Sequence, residues 1–197
     1  MALGYKKVIT TPHIRPDYFP NTVEVLTAGY NKLKKAVEVA GLPIEVSFAA
    51  EYFVDFDFLK TMDTQDLLTF SGKHVLIEIS TFSPPPNLYD TVFQMRIKGY
   101  QPILAHPERY IYFANTDAFD KLKDFGCLFQ SNILSLTGHY GREVKALSLK
   151  LLKKGMTDLL GTDMHHVRHL EALKRLSGVE EKTMKLIREN RFLNNTF

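Results

Sequence analysis

The feature that most constrains this chain is an alternation of short β-branched or apolar runs with longer amphipathic stretches. Strand candidates fall at 7–10, 44–50, 74–80, 102–105, 127–132 and 158–162, and helix candidates at 21–40, 88–98, 116–125, 143–154, 168–176 and 180–191. Gly41, Gly99, Gly126 and Gly155 each follow a helical run, where a left-handed cap is wanted. Strands alternating with helices predict parallel pairing and an α/β fold. The strands read as almost unbroken apolar runs, as expected when both faces of a sheet are covered. A barrel and a doubly wound sheet both satisfy this pattern.

With 197 residues, 45% of them hydrophobic, the chain is long enough for one substantial core and reads as a single domain over 1–197. The formal net charge of +3 is spread without blocks of like charge, which argues against a nucleic-acid partner. No run approaches the roughly 18 apolar residues of a membrane helix. Lys6 and Lys7 interrupt the N-terminal apolar stretch, unlike a signal peptide. A single cysteine excludes an intrachain disulfide framework and fits a reducing cytoplasm. These features predict a cytoplasmic protein with no membrane insertion.

Almost every strand candidate runs into a residue that can bind a metal. The first leads to His13, the second ends at Glu51, the third carries Glu78, the fourth ends at His106, the fifth near Asn132, and the sixth leads to Asp163 and His165. In a parallel α/β barrel the C-terminal strand ends converge on one rim, where active sites form. Three imidazoles and three carboxylates suit Zn, Mn or Fe and exceed the needs of one tetrahedral ion. A lone His at a strand end is more often structural than a ligand, and Asp-x-His pairs occur by chance. Glu78, inside the apolar run Val75-Leu76-Ile77-Glu78-Ile79, is harder to set aside, because a buried carboxylate is costly unless paired or metal-bound. The pattern as a whole predicts a polynuclear centre of the kind that activates water against phosphorus.

Arg109, just past His106, and Arg168, just past Asp163, are candidates to grip a phosphate dianion, with Arg142 a weaker one. His166 and His169 adjoin the site, and His166 is a candidate substrate contact. His74 and His139 lie away from strand C-termini and read as surface or structural residues. A cysteine-based phosphatase is excluded by spacing: it needs an Arg six positions after the thiolate, where Cys127 has Ile133. Cys127 reads as a core residue.

The runs TTPHI (10–14), AAEYFVD (49–55), HVLIEIS (74–80), ILAHPERY (103–110), FQSNILSLTGHYG (129–141) and GTDMHHVRHLEAL (161–173) resemble, in order and spacing, the metal-dependent tyrosine phosphatases of the polymerase and histidinol phosphatase (PHP) superfamily. Its bacterial capsule-associated members are the most similar. The resemblance implies a distorted (β/α)7 barrel carrying up to three divalent ions, often Mn, with Fe, Zn or Mg as alternatives. It implies hydrolysis of phosphotyrosine in protein, notably on tyrosine autokinases that control capsule or exopolysaccharide synthesis. By position, Glu51 would bridge two ions and Asp163 would bind one of them. Glu78 and His106 would complete the second ion's shell with Glu51, and His13 and His165 would bind the third. Arg109 matches the phosphate-binding Arg, and Arg168 approximates a second one.

Members of that family begin with a strand bearing His-x-His. Here the resemblance starts in the turn before the second strand, with Met1 about where relatives are mid-chain, so the expected barrel is short of its first βα unit. Only the ion at Glu51, Glu78 and His106 would then keep its full protein set. Three readings stand: a protein tyrosine phosphatase; a small-molecule phosphatase of the histidinol-phosphate type; and a binding or regulatory domain impaired by the missing strand. A strand edge left open would also favour a homo-oligomer.

Overall fold

The computed structural model describes residues 3–175 and 180–197. Met1, and Leu176 at the end of the fifth expected helix, lie outside the described residues. The chain forms strands β1 (Lys7–Thr10), β2 (His13–Ile14), β3 (Glu45–Phe48), β4 (Glu51–Phe53), β5 (His74–Glu78), β6 (Gln101–Ala105), β7 (Leu128–Asn132) and β8 (Leu159–Gly161). Between and after them lie helices α1 (Val23–Val39), α2 (Phe58–Thr64), α3 (Leu88–Ile97), α4 (Ala118–Asp124), α5 (Arg142–Lys153), α6 (Val167–Lys174) and α7 (Glu181–Glu189).

All strand pairings within the two sheets are parallel. Among the described residues one sheet has six strands in the order β2-β4-β5-β6-β7-β8, and β1 pairs β3 in a second. The two sheets are continuous in space: Ala49 N–H donates to Thr10 O at 2.9 Å and Glu51 N–H to Pro12 O at 3.0 Å, carrying β1 into β2 and β3 into β4. The expected first strand, 7–10, is β1, with β2 a further strand beyond it, and the expected second strand, 44–50, holds β3 and ends just before β4. Glu51, expected to end a strand, opens β4, and His13 opens β2 directly across from it in register. Pro12, which has no N–H to donate, is one reason the first ladder is interrupted.

Strand order follows chain order, so successive right-handed crossovers place their helices on one face of the sheet. The period-2 alternation then sorts the side chains. Ile14, Tyr52, Val75, Ile77, Leu104 and Phe129 face the helices and pack with Val92, Met95, Leu122, Leu147 and Leu151 in the larger core. Leu76, Ile103, Ala105 and Leu159 face the other way, in a smaller cluster closed by Phe70 and the C-terminal Leu193 and Phe197. Burial of each such side chain contributes about 1.5–3 kcal/mol. His13, Glu51 and Glu78 fall on this second face by the same alternation.

The helix termini follow the sequence signals. Thr22 caps α1, its hydroxyl accepting the Val25 N–H at 3.3 Å. Gly126 ends α4 at φ +82°, where Gly126 and Cys127 donate back to Lys123 and Leu122 carbonyls. Helix α2, not expected from sequence, is only seven residues long and buries Phe58 and Met62. Cys127 is buried in the core as expected, and burial pushes its thiol up to about 12.

Candidate metal centre

Four side chains converge where the smaller core meets the C-terminal ends of the strands. Glu51, His13 and Glu78 arrive from adjacent strands, and His106 follows the last residue of β6. His106 Nε2 stands 3.4 Å from Glu51 Oε1 and 3.7 Å from Glu78 Oε2. His13 Nε2 stands 3.8 Å from the other oxygen of each carboxylate. Each imidazole thus faces both carboxylates and each carboxylate faces both imidazoles. The ligand atoms of His13, Glu51 and Glu78 lie within 4.8 Å of one another, the one such group among the described residues.

These spacings are long for hydrogen bonds and right for ligands around a cation, since donors about 2.1 Å from a tetrahedral ion stand roughly 3.4 Å apart. Electrostatics point the same way. Burial, reinforced by the charge of Glu51, raises the Glu78 carboxyl, against the pull of His106, His13 and Arg109. Burial would depress His106, but the Glu51 carboxylate beside it outweighs that and raises the imidazole. Glu51 Oε1 and His106 Nδ1 are buried without a hydrogen-bond partner among the described residues. Two carboxylates forced together out of water, with an unserved oxygen, fit a divalent cation held by Glu51, Glu78, His106 and His13.

Asp163 and His165 line the adjoining part of the mouth, just beyond β8. Asp163 Oδ2 accepts from Asn132 Nδ2 at 2.8 Å and lies 3.7 Å from Arg109 Nη1, and Oδ1 lies 3.3 Å from His165 Nδ1. Burial would raise Asp163, but His106 and His165, the Asn132 hydrogen bond and Arg109 together lower it. The His165 ring comes within 5.2 Å of the His13 ring, which also stacks on Phe19 at 4.9 Å. The six expected ligands therefore share one mouth, in a cluster of four and an adjoining pair.

Backbone strain is concentrated here. Only three non-glycine residues among those described have positive φ, and two are His106 (+35°) and Asp163 (+48°). Such conformations cost about 1–3 kcal/mol each and persist where the surroundings enforce them. His106 is held by its N–H to Gln130 O at 2.7 Å and by its carbonyl, which accepts from Arg109 N–H at 2.9 Å. The left-handed turn aims the imidazole at Glu51 and sets Arg109 at the rim.

The remaining candidates lie further out. Arg168 lines a shallow cavity of about 390 Å³ with Thr137, His139, Glu171, Ala172 and Arg175, and makes no ion pair with the site carboxylates among the described residues. His166 is exposed and its ring lies 3.9 Å from that of His169. Arg142 opens α5 at the surface. His74, as expected, is structural, packed between Phe70 and Phe197. The sequence reading missed Glu108, fully buried beneath the His106 turn. Its Oε1 accepts from Asn132 N–H at 2.8 Å and Ser135 Oγ–H at 2.6 Å. The available signal was a charge embedded in the apolar run from Pro102 to Phe113.

The chain has relatives among known proteins. The chain is 26% identical over 167 residues to the tyrosine-protein phosphatase YwqE of Bacillus subtilis, covering 84% of this chain and 66% of YwqE, just under two thirds. It is 21% identical over 171 residues to the tyrosine-protein phosphatase CpsB of Streptococcus pneumoniae, covering 83% of this chain and 70% of CpsB. Its fold matches a crystal structure from work on YwqE and CpsB, described as unique metal-dependent tyrosine phosphatases, with a TM-score of 0.77 at 23% identity over 96% of this chain and 83% of that one. The family described as Capsular polysaccharide synthesis, CpsB/CapC, matches residues 2–195, and the chain belongs to that family.

Proposed function

We infer that this protein is a metal-dependent phosphatase acting on phosphotyrosine in protein substrates. The observation that carries the reading is the cluster of His13, Glu51, Glu78 and His106 with Arg109 at its rim. Glu51, Glu78, His106 and His13 would hold divalent ions, with Asp163 and His165 extending the set. Mn is the candidate we favour, and Fe, Zn and Mg are chemically admissible. Bound divalent ions supply a nucleophile from water at neutral pH and neutralise charge developing on the phosphoryl oxygens.

The chain's own residues orient the substrate. Arg109 pairs only loosely with Asp163, at 3.7 Å, so its guanidinium can turn to grip two oxygens of a phosphate dianion. A phenolate leaves readily, so no strong general acid is required. Exposed aromatic groups, Tyr18 (68% exposed), Phe19 (48%), Phe56 (76%) and Phe82 (93%), lie on loops that follow strands toward helices, the side on which the site opens, and Phe19 stacks on His13. Exposed aromatic groups on the side of an open polar site support a polypeptide over a small polar metabolite as substrate. By analogy with the relatives, the polypeptide would be a bacterial tyrosine autokinase in capsule or exopolysaccharide synthesis, met in the cytoplasm. The curled parallel sheet is read as an arc of the family's barrel. Among the described residues no helix is long and apolar enough to cross a membrane.

The test is hydrolysis of a phosphotyrosyl peptide by chelator-stripped protein after Mn²⁺ is restored, with His106→Ala as control. Mn²⁺-dependent turnover reduced at least about 100-fold in the variant is expected, because removing a transition-state contact costs that order of rate. Equal rates for the two proteins would end the reading.

A further inference from the structure

We propose that Glu108 is a positioning residue for the metal centre, acting on Asp163 through Asn132. This rests on the metal reading above. Glu108 is 0% exposed, on the turn between His106 and Arg109. A buried carboxylate is expensive unless several donors serve it, and an apolar residue would fill the same volume at lower cost. One oxygen is served twice. Oε1 accepts the backbone N–H of Asn132 at 2.8 Å and the Ser135 hydroxyl at 2.6 Å. Both donors belong to the segment where β7 ends and the turn Ile133–Thr137 begins.

The Asn132 side chain continues the chain of contacts. Its Nδ2 donates to Asp163 Oδ2 at 2.8 Å, leaving Oδ1 to face His165 Nδ1 at 3.3 Å. Asp163 sits at φ +48°, a conformation that does not hold itself. One buried carboxylate therefore ties together the segments after β6, β7 and β8. The turn that presents His106 becomes rigidly related to the loop that presents Asp163. Partners that orient metal-ligating side chains in this way are worth about 10–100-fold in metal affinity when removed.

A purely structural staple would lower the melting temperature and leave the folded protein's metal affinity unchanged. The discriminating measurement is calorimetric titration of chelator-stripped protein with Mn²⁺, which needs no catalytic turnover. Glu108→Ala and Asn132→Ala should each weaken Mn²⁺ binding roughly tenfold. The double variant should be no weaker than the worse single one, because both cut the same path. Glu108→Gln should stay within about threefold of wild type, since its amide oxygen accepts the same two hydrogen bonds. A folded Glu108→Ala protein with wild-type affinity, or additive losses in the double variant, overturns the proposal. If Glu108→Ala does not fold, Asn132→Ala decides, because it cuts only the last link and leaves Glu108 served. Wild-type affinity in that variant refutes the positioning role. A wild-type protein that binds no Mn²⁺ refutes instead the metal reading on which it rests.

Discussion

His13 lies in one edge strand of the six-stranded sheet and His165 on the loop just beyond the other, yet their rings stand 5.2 Å apart. A flat sheet of parallel strands spaced about 4.8 Å apart would separate its edge strands by more than 20 Å. The sheet is therefore curved enough to bring one edge strand near the loop that follows the other at the C-terminal mouth. Sequential strand order makes this possible, because every crossover helix lies on the convex side and leaves the concave side free to close on the ligands.

The register of the neighbouring strands β4 and β5 sets Glu51 and Glu78 side by side, and the consequence is measurable without a substrate. Burial and the Glu51 charge oppose ionisation of Glu78, so the metal-free fold carries an electrostatic penalty. Glu78→Gln should relieve it and raise the melting temperature of chelator-treated protein by about 2–4 °C, the shift that about 1 kcal/mol gives in a chain of this size. Wild type should gain about 2.7 kcal/mol from Mn²⁺ at a hundredfold excess over its dissociation constant, a gain the variant should largely lose. Differential scanning fluorimetry with and without Mn²⁺ tests both halves. A variant less stable when metal-free, yet still stabilised by Mn²⁺, would contradict them.

What the sequence discloses and what it hides divide along a physical line. Glu78, His106, Asp163 and His165 were legible because strand periodicity and following breakers fix where β5, β6 and β8 end, and chemistry collects at those ends. The short strands β2 and β4, beyond the expected 7–10 and 44–50, were not, since two or three residues are too few to display a period and only the ladder's geometry reveals them. Helix α2 has too few residues to display a 3.6-residue period. Glu108 was hidden because its value lies in partners from β7 and the following turn, a relation no local pattern encodes. Arg168 was placed by spacing from Asp163, but its side chain follows α6 to a cavity beside His139 and Arg175.

The single cysteine offers a check on chemistry. With its thiol buried and pushed up to about 12, Cys127 carries almost no thiolate at neutral pH. Iodoacetamide should leave the Mn²⁺-dependent activity of native protein intact over an hour. Cys127→Ala should keep that activity while losing about 1 kcal/mol of stability from the vacated core volume. Rapid inactivation by the reagent, or loss of turnover in the variant, would point to thiol chemistry instead.

His74 predicts a pH dependence far from the metal centre. Burial, aided by the charge of Lys73, holds its imidazole below the ordinary 6.5, against the pull of the Phe70 and Ser71 backbone carbonyls. The unfolded chain takes up the proton near 6.5 while the folded one resists it, so the unfolded state binds more protons below that pH. Stability should therefore fall as pH drops below 6.5, and His74→Gln should flatten that part of the profile. Melting temperatures at pH 7.5 and 5.5 give the comparison. Parallel slopes for the two proteins would exclude His74 as the source.

Arg109 yields the sharpest prediction about substrate. Its guanidinium stands 3.7 Å from Asp163 and 5.8 Å from the centre of the Tyr140 ring, close enough to the cluster to reach a phosphoryl group and too loosely held to be committed elsewhere. If it binds two phosphate oxygens as a fork, then lysine, which keeps the charge and loses the planar pair of donors, should not replace it. Hydrogen bonds to charged groups are worth about 1.5–3 kcal/mol, so Arg109→Lys should reduce kcat/KM for a phosphotyrosyl peptide roughly 10–100-fold. Mn²⁺ affinity measured by calorimetry should stay within about twofold, because Arg109 contacts Asp163 only at the margin of an ion pair. Were Arg109→Lys to turn over like wild type while Arg109→Ala failed, the residue would be acting as a point charge, and bidentate recognition of the phosphate would have to be abandoned.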